Sequence, residues 1–149
     1  MRVVVTGSRK WENEGVVLAR LALLPKGSVI AHGDASGADR CADRAAKALI
    51  MGRHIYPAHW NDGGRKAGPL RNQHMLEDFK PDLVIAYPLS DSKGTWDMVK
   101  RAQKAKVPVE IYGEGSYTGP EFEAELQSRV YKTTGTVKGF VVAADTATL

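Results

Sequence analysis

Cysteine is nearly absent from this chain of 149 residues, which contains only Cys41. One thiol cannot close an internal disulfide or supply a cluster of thiolate ligands, so a disulfide scaffold and a cysteine metal site are both excluded. Cys41 falls on the apolar side of a predicted helix, which indicates a buried, inert thiol. His32 has no glutamate or second histidine at ligand spacing, and we therefore expect neither a metal site nor a bound cofactor.

Long hydrophobic runs are also missing. The apolar stretches are a few residues each, far below the roughly 20 that span a bilayer. The stretch MRVVVTGSRKW passes directly from apolar residues to Thr6, Gly7 and Ser8, without the apolar region and cleavage site of a secretory signal. We expect a cytoplasmic protein that makes no membrane contact.

The composition that remains is that of one globular domain. Hydrophobic residues make up 43% of the chain and charged residues 26%, close to the average of such domains. The length suffices for one core and is too short for two ordinary domains. A net charge of +4 permits an anionic partner without requiring a nucleic-acid polymer.

Short runs rich in Val and Ile alternate with helical patterns, which is typical of βαβ units with a parallel sheet. Five strands are predicted, at residues 2–6, 28–31, 54–56, 83–87 and 107–112. Four helices are predicted, at residues 14–24, 38–50, 69–79 and 95–105. Right-handed crossovers then give the strand order 3-2-1-4-5 in a mainly parallel five-stranded sheet. The fold class is α/β, a Rossmann-like three-layer sandwich, with its crevice at the carboxyl ends of strands one and four.

We expect residues 1–112 to form this ligand-binding domain and residues 113–149 to form a carboxyl-terminal extension. In the extension, Phe122, Leu126 and Val130 are spaced four apart, which predicts a short docking helix. The end of the chain is rich in Thr and Val. It fits an extra strand, a dimer arm or a flexible tail equally well.

Two loops at the predicted crevice carry glycine and polar residues. In TGSR, Gly7 allows close backbone approach, Ser8 offers a hydroxyl and Arg9 can contact a phosphate, although the motif also fits a simple turn. In HGDASGAD, residues 32–39, Gly33 and Gly37 would free N–H groups at a helix start, where anions are favoured. Asp34 and Asp39 would either cap that helix or bind a ribose hydroxyl. His32 suits a packed or a functional role.

Two further segments offer cations near helix starts. Arg71 and Asn72 are predicted in the first turn of a helix, where a positive side chain needs an anion or open solvent, and Asn72 also suits a local backbone bond. Lys93, Gly94 and Thr95 resemble a phosphate cradle but lack Walker spacing. Trp11, Trp60 and Trp96 are each expected in the core rather than as stacking platforms. Because Arg9, Arg71 and Lys93 converge on one sheet edge, we predict a phosphate-bearing small molecule as ligand.

Four motifs in this order, VVVTGSR, HGDASGAD, GPLRN and KGTWDMVKRA, resemble the SLOG superfamily, the Rossmann-like group that includes the Smf/DprA DNA-processing proteins and the LOG phosphoribohydrolases. The likeness covers residues 1–112 and is strongest to the YspA-like branch of bacteria and their phages. It implies binding of a nucleotide-derived ligand such as ADP-ribose or a nucleoside phosphate. The matching positions are Gly7, Ser8, Arg9, Gly33, Gly37, Asp39, Arg71, Asn72, Gly94 and Thr95.

The resemblance leaves catalysis open. LOG enzymes carry the loop PGGxGTxxE, whose glutamate helps to break the N-glycosidic bond, and Met98 stands at that position here. A sensor or sequestering module, acting as a homodimer, is therefore the first hypothesis. The second is a nucleotide N-glycosidic hydrolase in which Asp34, Asp39 or Asp97 replaces the glutamate. The third is a single-stranded DNA-binding module, which resembles DprA at Arg71 and Asn72 but lacks the second arginine of its RNR stretch.

Overall fold

The computed structural model describes residues 1–89, 92–113, 134–137 and 140–143. The strands are β1 (Arg2–Gly7), β2 (Val29–His32), β3 (Gly52–Ile55), β4 (Leu83–Tyr87), β5 (Val109–Tyr112), β6 (Thr134–Val137) and β7 (Phe140–Ala143). The helices are α1 (Glu14–Ala22), α2 (Ala38–Ala48), α3 (Trp60–Gly63), α4 (Ala67–Phe79) and α5 (Lys93–Lys104). A 3-10 turn at Gly64–Lys66 joins α3 to α4.

The sheet confirms the predicted topology and extends it. Strands β1 to β5 are all parallel in the order 3-2-1-4-5, and β1 lies between β2 and β4, where the winding reverses. Strand β7 adds antiparallel to β5, and β6 adds to β7. Of the alternatives left open for the end of the chain, the structure therefore shows strands. The helix predicted around Phe122, Leu126 and Val130 lies outside the described residues.

The core has two apolar layers, one on each face of the sheet. Side chains alternate along a strand, so Val3 and Val5 pack with α1 and α2 while Val4 packs with α4 and α5. Every residue of β4 is buried, as expected for a central parallel strand covered by helices on both faces. Cys41 is free and buried in α2, as the helical pattern predicted.

Two helices begin earlier than predicted. Helix α4 starts at Ala67 because the 3-10 turn runs directly into it, so Pro69 is its third residue instead of its first. Proline is tolerated there because the first N–H groups of a helix lack internal partners. Helix α5 starts at Lys93, which places Gly94 and Thr95 inside its first turn. No helix among the described residues is long and apolar enough to cross a bilayer.

A buried ion pair joins α1 to β5. Arg20 donates to both carboxylate oxygens of Glu110, at 2.7 and 3.0 Å, and the Tyr112 hydroxyl donates to the same carboxylate at 2.6 Å. Arg20 is 4% exposed and Glu110 1%. Charges this deep are tolerated only when paired and hydrogen-bonded, so this contact fixes the position of α1 on the sheet.

Candidate functional site

The ends of β1 and β4 approach the start of α2 very closely at Gly7. A Cβ atom added to Gly7 would lie 2.5 Å from Cβ of Ala38 and 2.7 Å from the carbonyl oxygen of Tyr87. Any side chain would push α2 away from the sheet. Close packing alone therefore explains a glycine at position 7. The same packing brings the start of α2 to the predicted crevice.

The loop after β1 is held by Ser8. Its N–H donates to the Tyr87 carbonyl at 2.9 Å, and its own carbonyl accepts from Ala38 and Trp11 at 3.0 and 3.2 Å. The hydroxyl oxygen accepts from the N–H of Lys10 at 3.1 Å. Ser8 is only 8% exposed, so it organises the loop from which Arg9 projects.

Both glycines of the HGDASGAD segment lie in close contact with other parts of the chain, Gly37 with backbone and Gly33 with a side chain. Gly37 has φ +76°, and a Cβ there would lie 2.3 Å from the carbonyl oxygen of Ser8. A Cβ on Gly33 would lie 2.0 Å from Nη1 of Arg71. The loops after β1 and β2 are thus packed against each other, and the guanidinium of Arg71 lies directly on Gly33.

Asp39 closes the β2–α2 loop. Its Oδ2 accepts from the N–H groups of Gly33 and Ala35, at 3.0 and 3.2 Å, and the residue is 4% exposed. Burial raises the pKa of Asp39, although these N–H groups, His32 and Arg71 act in the opposite direction. The Gly33 N–H, which we expected to be free for an anion, is therefore occupied by Asp39. This is not the helix cap considered for Asp39, because the N-cap of α2 is Gly37 and α2 has no side-chain cap bond. The ribose contact stays a prediction.

The polar residues beside Asp39 also have partners in the structure. His32 is fully buried, accepts from the N–H of Asp34 at 3.0 Å and faces Asp43 at 2.9 Å, which is the packed role. Burial opposes ionisation of Asp43, but hydrogen bonds from His32 and Arg53 outweigh it and lower its pKa to about 2. Asp34 has φ +60° and an exposed side chain, 3.9 Å from Arg40. It lies at the rim of the loop.

Arg71 is half-buried without a carboxylate partner among the described residues. Its Nη1 donates to the carbonyl oxygens of Gly33 and Tyr56, at 2.8 and 3.2 Å, so it spans the ends of β2 and β3. Burial lowers the pKa of Arg71; the carboxylate of Asp39 opposes this, and the positive charge of Arg9 adds to it. The positive charge of Arg9, in the loop after β1, thus acts on the guanidinium that spans the ends of β2 and β3.

Asn72 connects this region to α5. Its side chain accepts from Nε of Arg71 at 3.0 Å and donates to the Gly94 carbonyl at 3.2 Å and to the Asp97 carboxylate at 2.9 Å. At 3% exposure it is a buried tie between α4 and α5. We expected Asn72 to make a local backbone bond as one alternative. The structure instead shows hydrogen bonds from its side chain on α4 to α5.

At the start of α5, Lys93 and Gly94 are exposed. A Cβ added to Gly94 would meet no atom of the described residues within 4 Å. Thr95 is 3% exposed. The N-cap residue Ser92 makes no side-chain cap, since its hydroxyl accepts from Leu89 instead. Asn72 thus joins Arg71 to the helix that begins with Lys93, and the charge of Arg9 acts on the same guanidinium.

The tryptophans divide between core and surface. Trp11 is 5% exposed and packs on Tyr87, whereas Trp60 and Trp96 are 47% and 42% exposed. The core expectation is therefore wrong for Trp60 and Trp96. Trp60 packs on α4 at Gly68, and the guanidinium of Arg9 lies 5.3 Å from its ring centre.

The sequence did not predict a cavity that lies beside Arg71, beyond the end of β3. This space, which we call the Arg71 cavity, has a volume of about 640 Å³. Its lining includes Tyr56, Pro57, His59, Leu70, Arg71 and His74. One signal was available: Leu70 falls outside the apolar stripe of α4 formed by Met75, Leu76 and Phe79, which marks an apolar side chain on the open face.

The fold and this sheet edge define an α/β protein of Rossmann-like architecture. Among solved structures, DNA processing protein A (DprA) from Streptococcus pneumoniae matches with a TM-score of 0.54 and 20% identity, over 85% of this chain and 56% of that one. UDP-GlcNAc 2-epimerase from Neisseria meningitidis matches with a TM-score of 0.48 and 19% identity, over 86% and 35% respectively. The chain thus spans less than two thirds of either protein.

Sequence comparison gives the family. A profile described as the YspA, cpYpsA-related SLOG family matches residues 1–63. The Gene 61 protein of Mycobacterium phage D29 is 40% identical over 122 residues, which cover 76% of this chain and 97% of that protein. The chain belongs to the SLOG superfamily, as its four motifs indicated.

Proposed function

We propose that residues 1–112 bind a nucleotide-derived, phosphate-bearing small molecule, as a sensor or sequestering module. The observation that carries this proposal is Arg71, a half-buried cation that forms no ion pair with the described residues. A buried charge is costly unless it is compensated. The charge of Asp39 favours the Arg71 cation, whereas burial and the charge of Arg9 oppose it. A bound phosphate would add negative charge in a form that matches the guanidinium geometry.

The phosphate would lie at α5 and not at α2. A helix start favours anions through its unpaired N–H groups, but at α2 the Asp39 carboxylate already occupies the preceding loop. At α5 the hydroxyl of the N-cap residue Ser92 is used elsewhere, Lys93 adds a positive charge, and a Cβ on Gly94 would meet none of the described residues. No contact with the described residues therefore requires a glycine at this helical position. Close approach of a ligand would explain it.

Catalysis is disfavoured by the same geometry. Met98, at the position of the LOG glutamate, is fully buried. Asp97 accepts from Asn72 and Arg101, both at 2.9 Å. Asp39 accepts from two N–H groups of its own loop. Of the three acids considered for a hydrolase, Asp34 alone remains exposed, at the rim.

Membership in the SLOG superfamily supports a nucleotide or a nucleic acid as ligand. One observation favours single-stranded DNA as a second candidate: Trp60 and Trp96 are about half exposed, and bases stack on such side chains. A gel shift of single-stranded DNA that weakens with salt and disappears in an Arg9→Ala, Lys93→Ala double variant would favour it.

Calorimetry tests the first candidate. We expect at least one of ADP-ribose, NAD and the nucleoside monophosphates to bind, and Arg71→Ala to weaken that binding about tenfold or more, equivalent to about 1.4 kcal/mol. Arg44→Ala is the matched control, because Arg44 is exposed and pairs with Glu14 away from the crevice. Flat titrations with every ligand would exclude the proposal.

A further inference from the structure

We infer that the Arg71 cavity receives the base of a nucleotide whose phosphate lies at the start of α5, so that Arg71 contacts both subsites. This rests on the proposed function, because it assigns the second half of the same ligand. It also narrows the ligand class. The molecule would carry a planar heteroaromatic ring, whereas a simple sugar phosphate would fill only the phosphate subsite.

Neighbouring residues of α4 contact the Arg71 cavity and the helix α5. Arg71 lines the cavity, and its Nη1 bonds to the carbonyl of Tyr56, another lining residue, and to the carbonyl of Gly33. The next residue, Asn72, donates to the Gly94 carbonyl at the start of α5. Arg71 thus lies at the cavity, and its neighbour Asn72 ties α4 to the first turn of α5, where we place the phosphate.

Part of the lining of the Arg71 cavity is apolar. Leu70 is 63% exposed and Ile55 46%, and both line the cavity. Exposed apolar side chains gathered around a concavity are typical of ligand sites. Trp60 follows the lining residue His59 in the chain; it is half-exposed and packs on α4 at Gly68. An apolar ring gains more from such walls than a sugar, whose hydroxyls would lose water without partners.

The polar side chains of the Arg71 cavity suit the edge of a heteroaromatic ring. None of the lining residues that the structure describes is a carboxylate, so this part of the cavity suits a neutral or anionic group. His59 and His74 place imidazole rings there, and the ring of His74 packs edge-on against Tyr56 at 5.7 Å. The Tyr56 hydroxyl donates to Asp78 at 2.6 Å. Imidazole nitrogens can donate to or accept from the edge of a base, which is the pairing a heteroaromatic ring requires.

The volume is adequate. At about 640 Å³ the cavity falls within the range of small-molecule sites, roughly 300–1,000 Å³. It therefore accommodates a base with its sugar, while the phosphate remains outside the cavity near Lys93.

The experiment is calorimetry of the wild-type chain with the four common nucleoside 5′-monophosphates and with ribose 5-phosphate, which lacks a base. We expect one nucleotide to bind about tenfold or more tightly than ribose 5-phosphate. Leu70→Asn should weaken that nucleotide about fivefold, since it removes apolar contact area, and leave ribose 5-phosphate unchanged. Leu18→Asn, at an exposed leucine of α1, is the matched control. Arg71→Ala should weaken both ligands.

The outcomes separate the two proposals. If the nucleotides and ribose 5-phosphate bind equally and both depend on Arg71, the phosphate site stands and the base subsite is wrong. The base subsite is also wrong if Leu70→Asn binds the preferred nucleotide as the Leu18→Asn control does. If no ligand binds, or if Arg71→Ala has no effect, the proposed function fails and the inference fails with it.

Discussion

Replacing Gly94 by Ala should change stability and binding in opposite directions. Gly94 is the second residue of α5, and a Cβ there meets no atom within 4 Å in the part of the chain that the structure describes. The substitution therefore adds no clash and removes the entropic disadvantage of glycine in a helix, about 0.5–1 kcal/mol. For a chain of this size that corresponds to a rise in melting temperature of about 1–4 °C.

The same methyl group would occupy the space where we place the phosphate. A ligand displaced from the start of α5 loses its hydrogen bonds to the first-turn N–H groups, and bonds to charged groups contribute about 1.5–3 kcal/mol each. We expect the affinity for the preferred nucleotide to fall about tenfold or more. The assay pairs a thermal melt without ligand with calorimetry on the same preparation.

A matched control is Gly52→Ala, which adds a methyl group on β3, 3.3 Å from Val29. It should leave binding unchanged. Our placement of the phosphate would be refuted if Gly94→Ala were more stable than wild type and bound the nucleotide with unchanged affinity. A loss of stability would instead refute the view that this glycine has no packing role.

Three other variants test separate parts of the structure. Gly33→Ala should weaken nucleotide binding about tenfold while changing stability by less than about 2 kcal/mol, because its Cβ would displace the flexible end of Arg71; unchanged binding in calorimetry would contradict the position of that guanidinium. Glu110→Ala should cost about 3–5 kcal/mol in urea unfolding by stranding buried Arg20, and a loss below about 1 kcal/mol would contradict the buried pair. Asp43→Asn should lower stability at pH 7 by about 2 kcal/mol, since the pKa of Asp43 falls from 3.8 to about 2 on folding. That difference from wild type should disappear as pH falls from about 4 to about 2, and a pH-independent difference would contradict the assigned ionisation.

Topology was predictable because it follows from general rules. Alternating strands and helices with right-handed crossovers allow few arrangements, and the order 3-2-1-4-5 was among them. The loops at the crevice could be located for the same reason. What the glycines contact was not predictable, since the approach of Arg71 to Gly33 joins residues 38 positions apart.

Side-chain roles were harder to predict than positions. Asp39 has the residue type expected of a ribose ligand, but backbone N–H groups of its own loop compete for it and occupy one oxygen. Trp60 and Trp96 follow the apolar preference of tryptophan only in part, because short loops and helix starts leave them at the surface. The pairing of Arg20 with Glu110, 90 residues apart, carries no sequence signal at all.

A ¹H–¹⁵N NMR titration of the wild-type chain with the nucleotide that binds best tests the proposed phosphate site most directly. We expect the largest shifts at the backbone amides of Gly94 and Thr95 and at Nε–H of Arg71. We expect a smaller shift at the amide of Gly33, which is already held by Asp39. Saturable shifts confined to other parts of the chain, with these groups unaffected, would contradict that site.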